Sequence, residues 1–412
     1  MISSSAKSKR THNPIRHIVD NLKPPSDHPK KLLNLALGDP TVHGNLTVPS
    51  VVTEAIQDLL ASNTANGYLP SVGLPAAQEA IAKYTSVEGF PVAAKDVTIA
   101  SGCSGAIDLV LSALVDEGDN ILVPKPGFPL YQVITQSLGG SVRHYPLLAE
   151  KNWTCDLEAM DALIDSRTRA IVVSNPSNPC GSNFTAEHLR DISAIARKHN
   201  LPIVADEIYC GLVYDGEFAP MFVHSGDVPV ISVGGIAKEF VVPGWRVGWL
   251  VIQDKGTGKL NEVATGIKNL SQIVLGANSL IQGILPRILT PTPGSADAIS
   301  LEAYNARYRG VLRDNANVVK SAFVNTAAIT PVVPQGAMYA MLGINMALFD
   351  PKIIPDDAVF AQLLLQEENL FVLPGKCFNL DNFVRLVTCC PAEMLEDACE
   401  RLKAFCARHT IA

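Results

Sequence analysis

Short apolar runs without polar alternation recur through the first two thirds of the chain. They cover Val97 to Ala100, Ile121 to Pro124, Ala170 to Ser174, Ile203 to Asp206, Val230 to Val233 and Val247 to Ile252. Stretches with helical spacing lie between them. One places Ile107, Val110, Leu111, Leu114 and Val115 on a single stripe, and another carries Leu189, Ile192, Ile195 and Ala196. Strands that are apolar on both faces are expected where helices cover both sides of a sheet. The pattern therefore predicts an α/β fold, with a mostly parallel sheet between helices.

The texture changes near residue 285. Pro286, Pro291 and Pro293 read as a break. Beyond it the pattern predicts a charged helix near 300–325, a hairpin-like turn at Ala337-Met338-Tyr339-Ala340-Met341 and a helix near 357–368. A strand at Phe383 to Val387 and a final helix near 391–408 complete a smaller α+β unit. The expected organisation is an N-terminal arm with part of the small domain (1–45), a large domain (46–285) and a small C-terminal domain (286–412).

Composition narrows the function classes. The 412 residues are 47% hydrophobic and 18% charged, with a formal net charge of −7. That is a globular balance, and it gives no footprint for nucleic acid. No run of about eighteen apolar residues occurs, so no membrane span is expected. The segment Met1 to His12 lacks an apolar core and reads as a disordered arm rather than a secretory signal, with a mitochondrial presequence as the alternative. The nine cysteines have neither metal-ligand spacing nor a short disulfide framework, and Cys389-Cys390 would strain a bridge. A reduced, cytoplasmic protein with buried thiols is expected.

The candidate chemistry sits at strand ends. Lys238 follows the run 230–233, and Arg246 follows it eight positions later in Val-Pro-Gly-Trp-Arg. Asp206 and Tyr209 stand in Ala-Asp-Glu-Ile-Tyr, and Asn178 in Ser-Asn-Pro-Ser-Asn-Pro-Cys-Gly. An amine, an acid, a phenol, an amide and a guanidinium form the set needed to hold pyridoxal 5′-phosphate. Lys238 would bond the cofactor and shuttle the α-proton. Asp206 would keep the pyridine nitrogen protonated, with Glu207 pointing to the other sheet face. Tyr209 and Asn178 would hydrogen-bond the ring's phenolic oxygen. Gly102, Cys103 and Ser104 open the helix that carries Ile107, where backbone N–H groups would meet the phosphate together with Arg246. Phe128 would stack on the ring. Singly, each has an ordinary reading as a solvated lysine, a turn or a cap. Together, each at a strand end, they fit the ligand position of open α/β sheets. Arg385 lies in an apolar strand. It reads as a fork for a substrate α-carboxylate, with a structural ion pair as the alternative. Tyr68 reads either as core or as a phosphate contact across a subunit boundary.

With Asn-Pro-x-Asn-Pro-x-Gly, Asp-Glu-x-Tyr and Ala-Lys followed by Val-Pro-Gly-Trp-Arg-x-Gly-Trp, the chain resembles the fold-type I, class I aminotransferases. Asn13-Pro14-Ile15-Arg16, Gly38-Asp39-Pro40-Thr41, the segment around Tyr68 and Pro126-Gly127-Phe128 are similar to its tyrosine-transaminating branch. The resemblance implies a homodimer with Tyr68 on the partner's phosphate, Lys238 as the cofactor-bonding lysine, and Arg385 on the α-carboxylate, helped by Asn178 and the backbone near Gly38. It implies conversion of L-tyrosine and 2-oxoglutarate to 4-hydroxyphenylpyruvate and glutamate. An alanine- or aspartate-preferring transaminase and a cysteine-conjugate β-lyase are the alternatives. Many relatives carry Ser or Thr three positions before the lysine, where this chain has Gly235. Arg16 and Arg287 are candidates for a distal carboxylate.

Overall fold

A computed structural model of the chain describes residues 2–21 and 23–411. Its strands are β1 (Leu33–Asn34), β2 (Val97–Ser101), β3 (Asn120–Lys125), β4 (Ser141–Leu148), β5 (Thr154–Cys155), β6 (Thr168–Ser174) and β7 (Ile203–Asp206). They continue with β8 (Val230–Gly235), β9 (Val247–Gln253), β10 (Ile329–Val332), β11 (Tyr339–Ile344), β12 (Leu370–Phe371), β13 (Leu373–Pro374) and β14 (Phe383–Val387). Eight of these form one sheet in the order β2-β9-β8-β7-β6-β3-β4-β5. From β4 through β8 the neighbours are parallel.

Period-two alternation sorts the side chains of this sheet between two cores. Val172 and Val204 pack with Ile107, Val110 and Leu111 of the helix Gly102–Leu114. Ile171, Val173, Ile203 and Ala205 pack on the opposite face, against Leu189 and Ile192 of the helix Ala186–Lys198. Each fully buried Val or Ile contributes about 1.5–3 kcal/mol. The expected α/β architecture is thus present. Two strands run against the rest: the two-residue β5 is antiparallel to β4, and β9 is antiparallel to both β2 and β8. Its first residue, Val247, lies opposite Ser101, the last of β2, and Gly248 lies opposite Gly235, the last of β8. Arg246 therefore enters the sheet at the edge where the parallel strands end.

A second, four-stranded sheet has the order β10-β11-β14-β13. Arg385 sits in β14 between Met341 of β11 and Leu373 of β13. The β1 strand pairs in parallel with β12, tying residues near 33 to the C-terminal part of the chain.

The hairpin expected around 337–341 is present as the antiparallel pair β10–β11, with Ala337 at φ 56° in the bend and Tyr339 opening β11. Three points differ from expectation. Pro286 does not break the chain; it lies inside the helix Ser279–Leu289, close enough to its C-terminal end that one missing N–H bond is tolerated. A strand without an apolar run, β4, went unpredicted; most of its residues are only partly buried, so polar side chains interrupt the pattern. Residues 6–10 are helical rather than disordered. Ser5 caps Ser8 N–H, and Arg10 reaches the Ser137 carbonyl at 3.4 Å and Glu117 at 3.6 Å.

Candidate active site

A cavity of about 230 Å³ lies at the edge where β7 and β8 end. It brings together Gly38, Cys103, Ser104, Phe128, Asn178, Asp206, Tyr209, Lys238, Arg246 and Arg385 from the predicted set. Two predicted residues stand elsewhere. Gly102 adjoins the cavity through Arg246, and Tyr68 is 95% exposed on a loop outside it.

Asp206 is buried at the end of β7. Its carboxylate accepts from Tyr131 Oη at 2.6 Å, from the Ile208 N–H at 3.3 Å and from the Cys103 thiol at 3.8 Å. Burial pushes its pKa up, and these three donors oppose that rise. All three are neutral, so the buried charge lacks a cationic partner, and a protonated ring nitrogen would supply one. Glu207 points to the opposite face, as strand alternation predicts. It accepts from Met221 N–H at 2.8 Å and lines a separate cavity of about 280 Å³ beside Trp249 and Cys210. Burial raises its pKa to about 7.

Lys238 follows β8, and its Nζ donates to the Gly38 carbonyl at 2.7 Å. Gly235 is required by the antiparallel crossing. A Cβ there would lie 2.9 Å from both Gly248 Cα and the Val247 carbonyl, so no hydroxyl-bearing side chain fits at this position.

Cys103, Ser104 and Arg246 form another part of the cavity wall. The helix Gly102–Leu114 begins without a side-chain cap, and its second and third residues, Cys103 and Ser104, line the cavity. Among the described residues, Arg246 Nη1 and Nη2 donate only to the carbonyls of Pro243 (3.0 Å) and Ser101 (3.4 Å), with no carboxylate partner. Gly102 has φ +72°, and a Cβ would lie 2.6 Å from Arg246 Nη2, so only glycine admits both the turn and the guanidinium.

Arg385 is buried beneath the cavity. It donates to Asn178 Oδ1 at 2.9 Å and to the Ala36 carbonyl at 2.6 Å, while its Nε has no partner. Its guanidinium carbon is 4.3 Å from the Tyr339 ring centroid and 4.7 Å from that of Phe378. Among the described residues no acid pairs with it, which sets aside the structural ion pair and leaves a charge that an anion can complete. Burial pulls its pKa down.

Three site residues escaped sequence reasoning. Tyr131 stands three positions after Phe128, at helical spacing, and that was the available signal. Tyr339 bonds Tyr209 Oη to Oη at 2.7 Å, a contact that no local motif around it signals. Ile15 closes one wall from the N-terminal helix Pro14–Asn21. Arg287 is corrected as a candidate for a distal carboxylate. It is committed to Asp297, Asp58 and Glu54 at 2.7, 2.8 and 3.3 Å, and neither it nor Arg16 lines the cavity.

The family model for aminotransferase class I and II matches residues 30–402. Human tyrosine aminotransferase is 43% identical over 409 residues, covering 99% of this chain and 88% of its own length. The crystal structure of tyrosine aminotransferase from Leishmania infantum superposes with a TM-score of 0.92 at 37% identity, over 100% of this chain and 99% of that one. The alanine aminotransferase from Pyrococcus furiosus superposes at 0.91 with 28% identity, over 99% and 100%.

Proposed function

The chain belongs to the class I and II aminotransferase family, and on that premise we propose that it transfers the amino group of L-tyrosine, and of other aromatic amino acids, to a 2-oxo acid such as 2-oxoglutarate. Relatives at 37–43% identity over nearly its full length are named tyrosine aminotransferases. The observation that carries the reading is the cavity's division of labour. Arg385 and Asn178 offer one fixed fork for a carboxylate, while Ile15, Leu37, Ile107 and Phe128 offer apolar and aromatic contact.

The residues fit pyridoxal 5′-phosphate. Arg246 and the helix start at Gly102 would hold the phosphate, with Cys103 and Ser104 supplying N–H groups. Asp206 would pair with the pyridinium nitrogen. Tyr209 and Asn178 would donate to the phenolic oxygen, and Phe128 would lie against the ring. When bound, this cofactor takes up the electron pair left as the substrate's α C–H bond breaks. Lys238 Nζ tethers the cofactor at rest, then accepts the α-proton and returns it to complete the transfer. Arg385 orients the α-carboxylate so that the C–H bond faces that amine. Burial of Asp206 and Arg385 excludes water and strengthens each interaction.

We read residues 46–285 as the cofactor-binding domain, with residues 1–45 and 286–412 contributing the arm and the small domain. The working form is read as a homodimer. Tyr68, Leu60, Ile273, Val274 and Leu275 are all more than half exposed. Segment 65–71 is bonded to 271–279 through Ser279 Oγ–Ala65 O (2.6 Å) and Ser271 Oγ–Ser71 Oγ (3.1 Å). An apolar surface of this kind suits a second copy, and would carry Tyr68 to that copy's phosphate. All nine cysteines are unbridged, which suits the cytoplasm. No helix among the described residues is long and apolar enough to cross a membrane.

The test is a panel of amino acids and 2-oxo acids with the purified holoenzyme. Tyrosine should give the highest kcat/KM; preference for alanine or aspartate, or release of pyruvate and ammonia from cysteine conjugates, would replace this reading. Borohydride reduction and peptide mapping should place the pyridoxyl label on Lys238.

A further inference from the structure

Tyr339 has no place in the mechanism above, yet it joins two parts of the site. Its hydroxyl is 2.7 Å from Tyr209 Oη, and both phenols are nearly fully buried. The rings meet edge to face, with centroids 5.7 Å apart at 83°. The Arg385 guanidinium lies over the face of the Tyr339 ring at 4.3 Å. The register of the second sheet builds this contact: Tyr339 pairs with Val387, two residues along β14 from Arg385, so the arginine side chain emerges on the same face as its neighbour. The hydroxyl also abuts Gly38, where a Cβ would lie 2.1 Å from it, and the Gly38 carbonyl holds Lys238.

A phenol has one proton to donate. If Tyr209 gives its proton to the cofactor's phenolic oxygen, it can only accept from Tyr339. We propose that Tyr339 is a positioning residue whose O–H donates to Tyr209, fixing the direction of a chain from Tyr339 to Tyr209 to the cofactor oxygen and making that oxygen sensitive to carboxylate binding at Arg385. This rests on the pyridoxal phosphate reading. A cation over the Tyr339 ring draws electron density from its oxygen and strengthens its donation. Hydrogen bonds in series polarise one another, so Tyr209 donates more strongly in turn. A substrate carboxylate on Arg385 offsets the cation, weakens both donations and leaves more negative charge on the cofactor oxygen. The neighbouring base of the cofactor then holds its proton to higher pH. The groups beside the pair that can carry charge are Asp206, Lys238 and Arg385; burial pushes the Tyr308, Cys377 and Cys389 pKa values up and keeps them neutral.

The experiment follows the visible absorbance of the bound cofactor against pH. It compares wild type, Tyr339→Phe, Tyr209→Phe and the double variant, with and without 3-phenylpropionate, which has a carboxylate but no amine to react. Tyr339→Phe should raise the midpoint by roughly 0.5–1 pH unit, the loss expected for one neutral hydrogen bond. It should add nothing in the Tyr209→Phe background, because the effect passes through Tyr209. The upward shift caused by 3-phenylpropionate should shrink in both single variants. An unchanged midpoint, or equal shifts in the two backgrounds, overturns the relay and leaves Tyr339 as packing. Should Tyr339→Phe not fold, Tyr209→Phe alone decides: a 3-phenylpropionate shift as large as in wild type overturns the relay. A wild-type protein with no visible absorbance would sink the cofactor reading itself.

Discussion

Replacing Arg385 by lysine keeps a positive charge and removes a geometry. The guanidinium places one arm on Asn178 Oδ1 at 2.9 Å and another on the Ala36 carbonyl at 2.6 Å, and lies between the rings of Tyr339 and Phe378. Lysine presents three donors from a point charge, with no flat face to stack and no fork for a carboxylate. Loss of one of two charge-assisted hydrogen bonds to the substrate costs about 1.5–3 kcal/mol. Desolvation of the more strongly hydrated ammonium and the unmet Asn178 or Ala36 oxygen add to this. At about 1.4 kcal/mol per tenfold, the expected fall in kcat/KM is about a hundredfold. A neutral aromatic amino acid and a dicarboxylate share only the α-amino and α-carboxylate groups, so the factor should be similar for tyrosine and glutamate. Single-turnover half-reactions, read from the cofactor absorbance, measure each substrate separately. Cofactor affinity serves as the control and should change less than about threefold, because Arg385 touches neither the Gly102 turn nor Arg246. A large loss with glutamate and almost none with tyrosine would refute the reasoning, since Arg385 would then read a distal carboxylate.

Asp206→Asn removes the one carboxylate among the described residues that lines the cavity; kcat should fall roughly a hundredfold or more while the melting temperature stays within a few degrees, and a near-normal kcat would remove the electron-sink role. Glu207→Gln addresses the opposite face. The folded pKa of Glu207 is about 7 against an ordinary value of 4.5. Its contribution to stability is therefore fully present below pH ~4.5 and is lost as pH rises through about 7. Glutamine can keep the bond to Met221 N–H, so denaturation of the variant should match wild type near pH ~5 and exceed it by roughly 2–3 kcal/mol above pH ~8. Parallel stability–pH curves would mean that Glu207 is not held protonated. Ile273→Asp with Val274→Asp should convert a dimer to monomers in sedimentation and weaken cofactor binding through loss of the partner's Tyr68; an unchanged sedimentation coefficient would place the interface elsewhere.

The parallel part of the fold was legible because burial on both faces leaves continuous apolar runs. Helix Asp357–Glu368 and strand Phe383–Val387 matched their expected bounds, since a stripe and a strand between polar flanks leave little freedom. The β4–β5 end of the sheet was not legible. In β4, polar residues interrupt the apolar run, because the strand is only partly buried. Pro286 misled because local propensity takes no account of a helix end that can spare one hydrogen bond. The site divided the same way. Residues carried by short motifs at strand ends were legible, whereas Tyr131 and Tyr339 meet their partners 75 and 130 residues away in sequence.

The sequence alone also left open why so many polar groups converge on one edge. Arg246 is the decisive case. A guanidinium eight residues after the lysine would be carried to the far end of the sheet if β9 ran parallel to β8 after a crossover. Instead β9 turns back directly, so that its first residue lies beside the last residue of β2. The turn is made by Arg246 itself in a left-handed conformation, φ 55°, following the 3-10 turn Pro243–Trp245. Glycine at 235, 248 and 102 then lets three backbones approach closely enough for the arginine to lie across the helix start. The chain accepts a non-glycine residue at positive φ, with its cost of about 1 kcal/mol or more, at the position where that conformation aims a permanent charge into the cavity. A substitution such as Arg246→Gly would relieve the backbone and empty the cradle together. Stability and cofactor affinity should therefore move in opposite directions at this residue, as expected of strain retained for function rather than for folding.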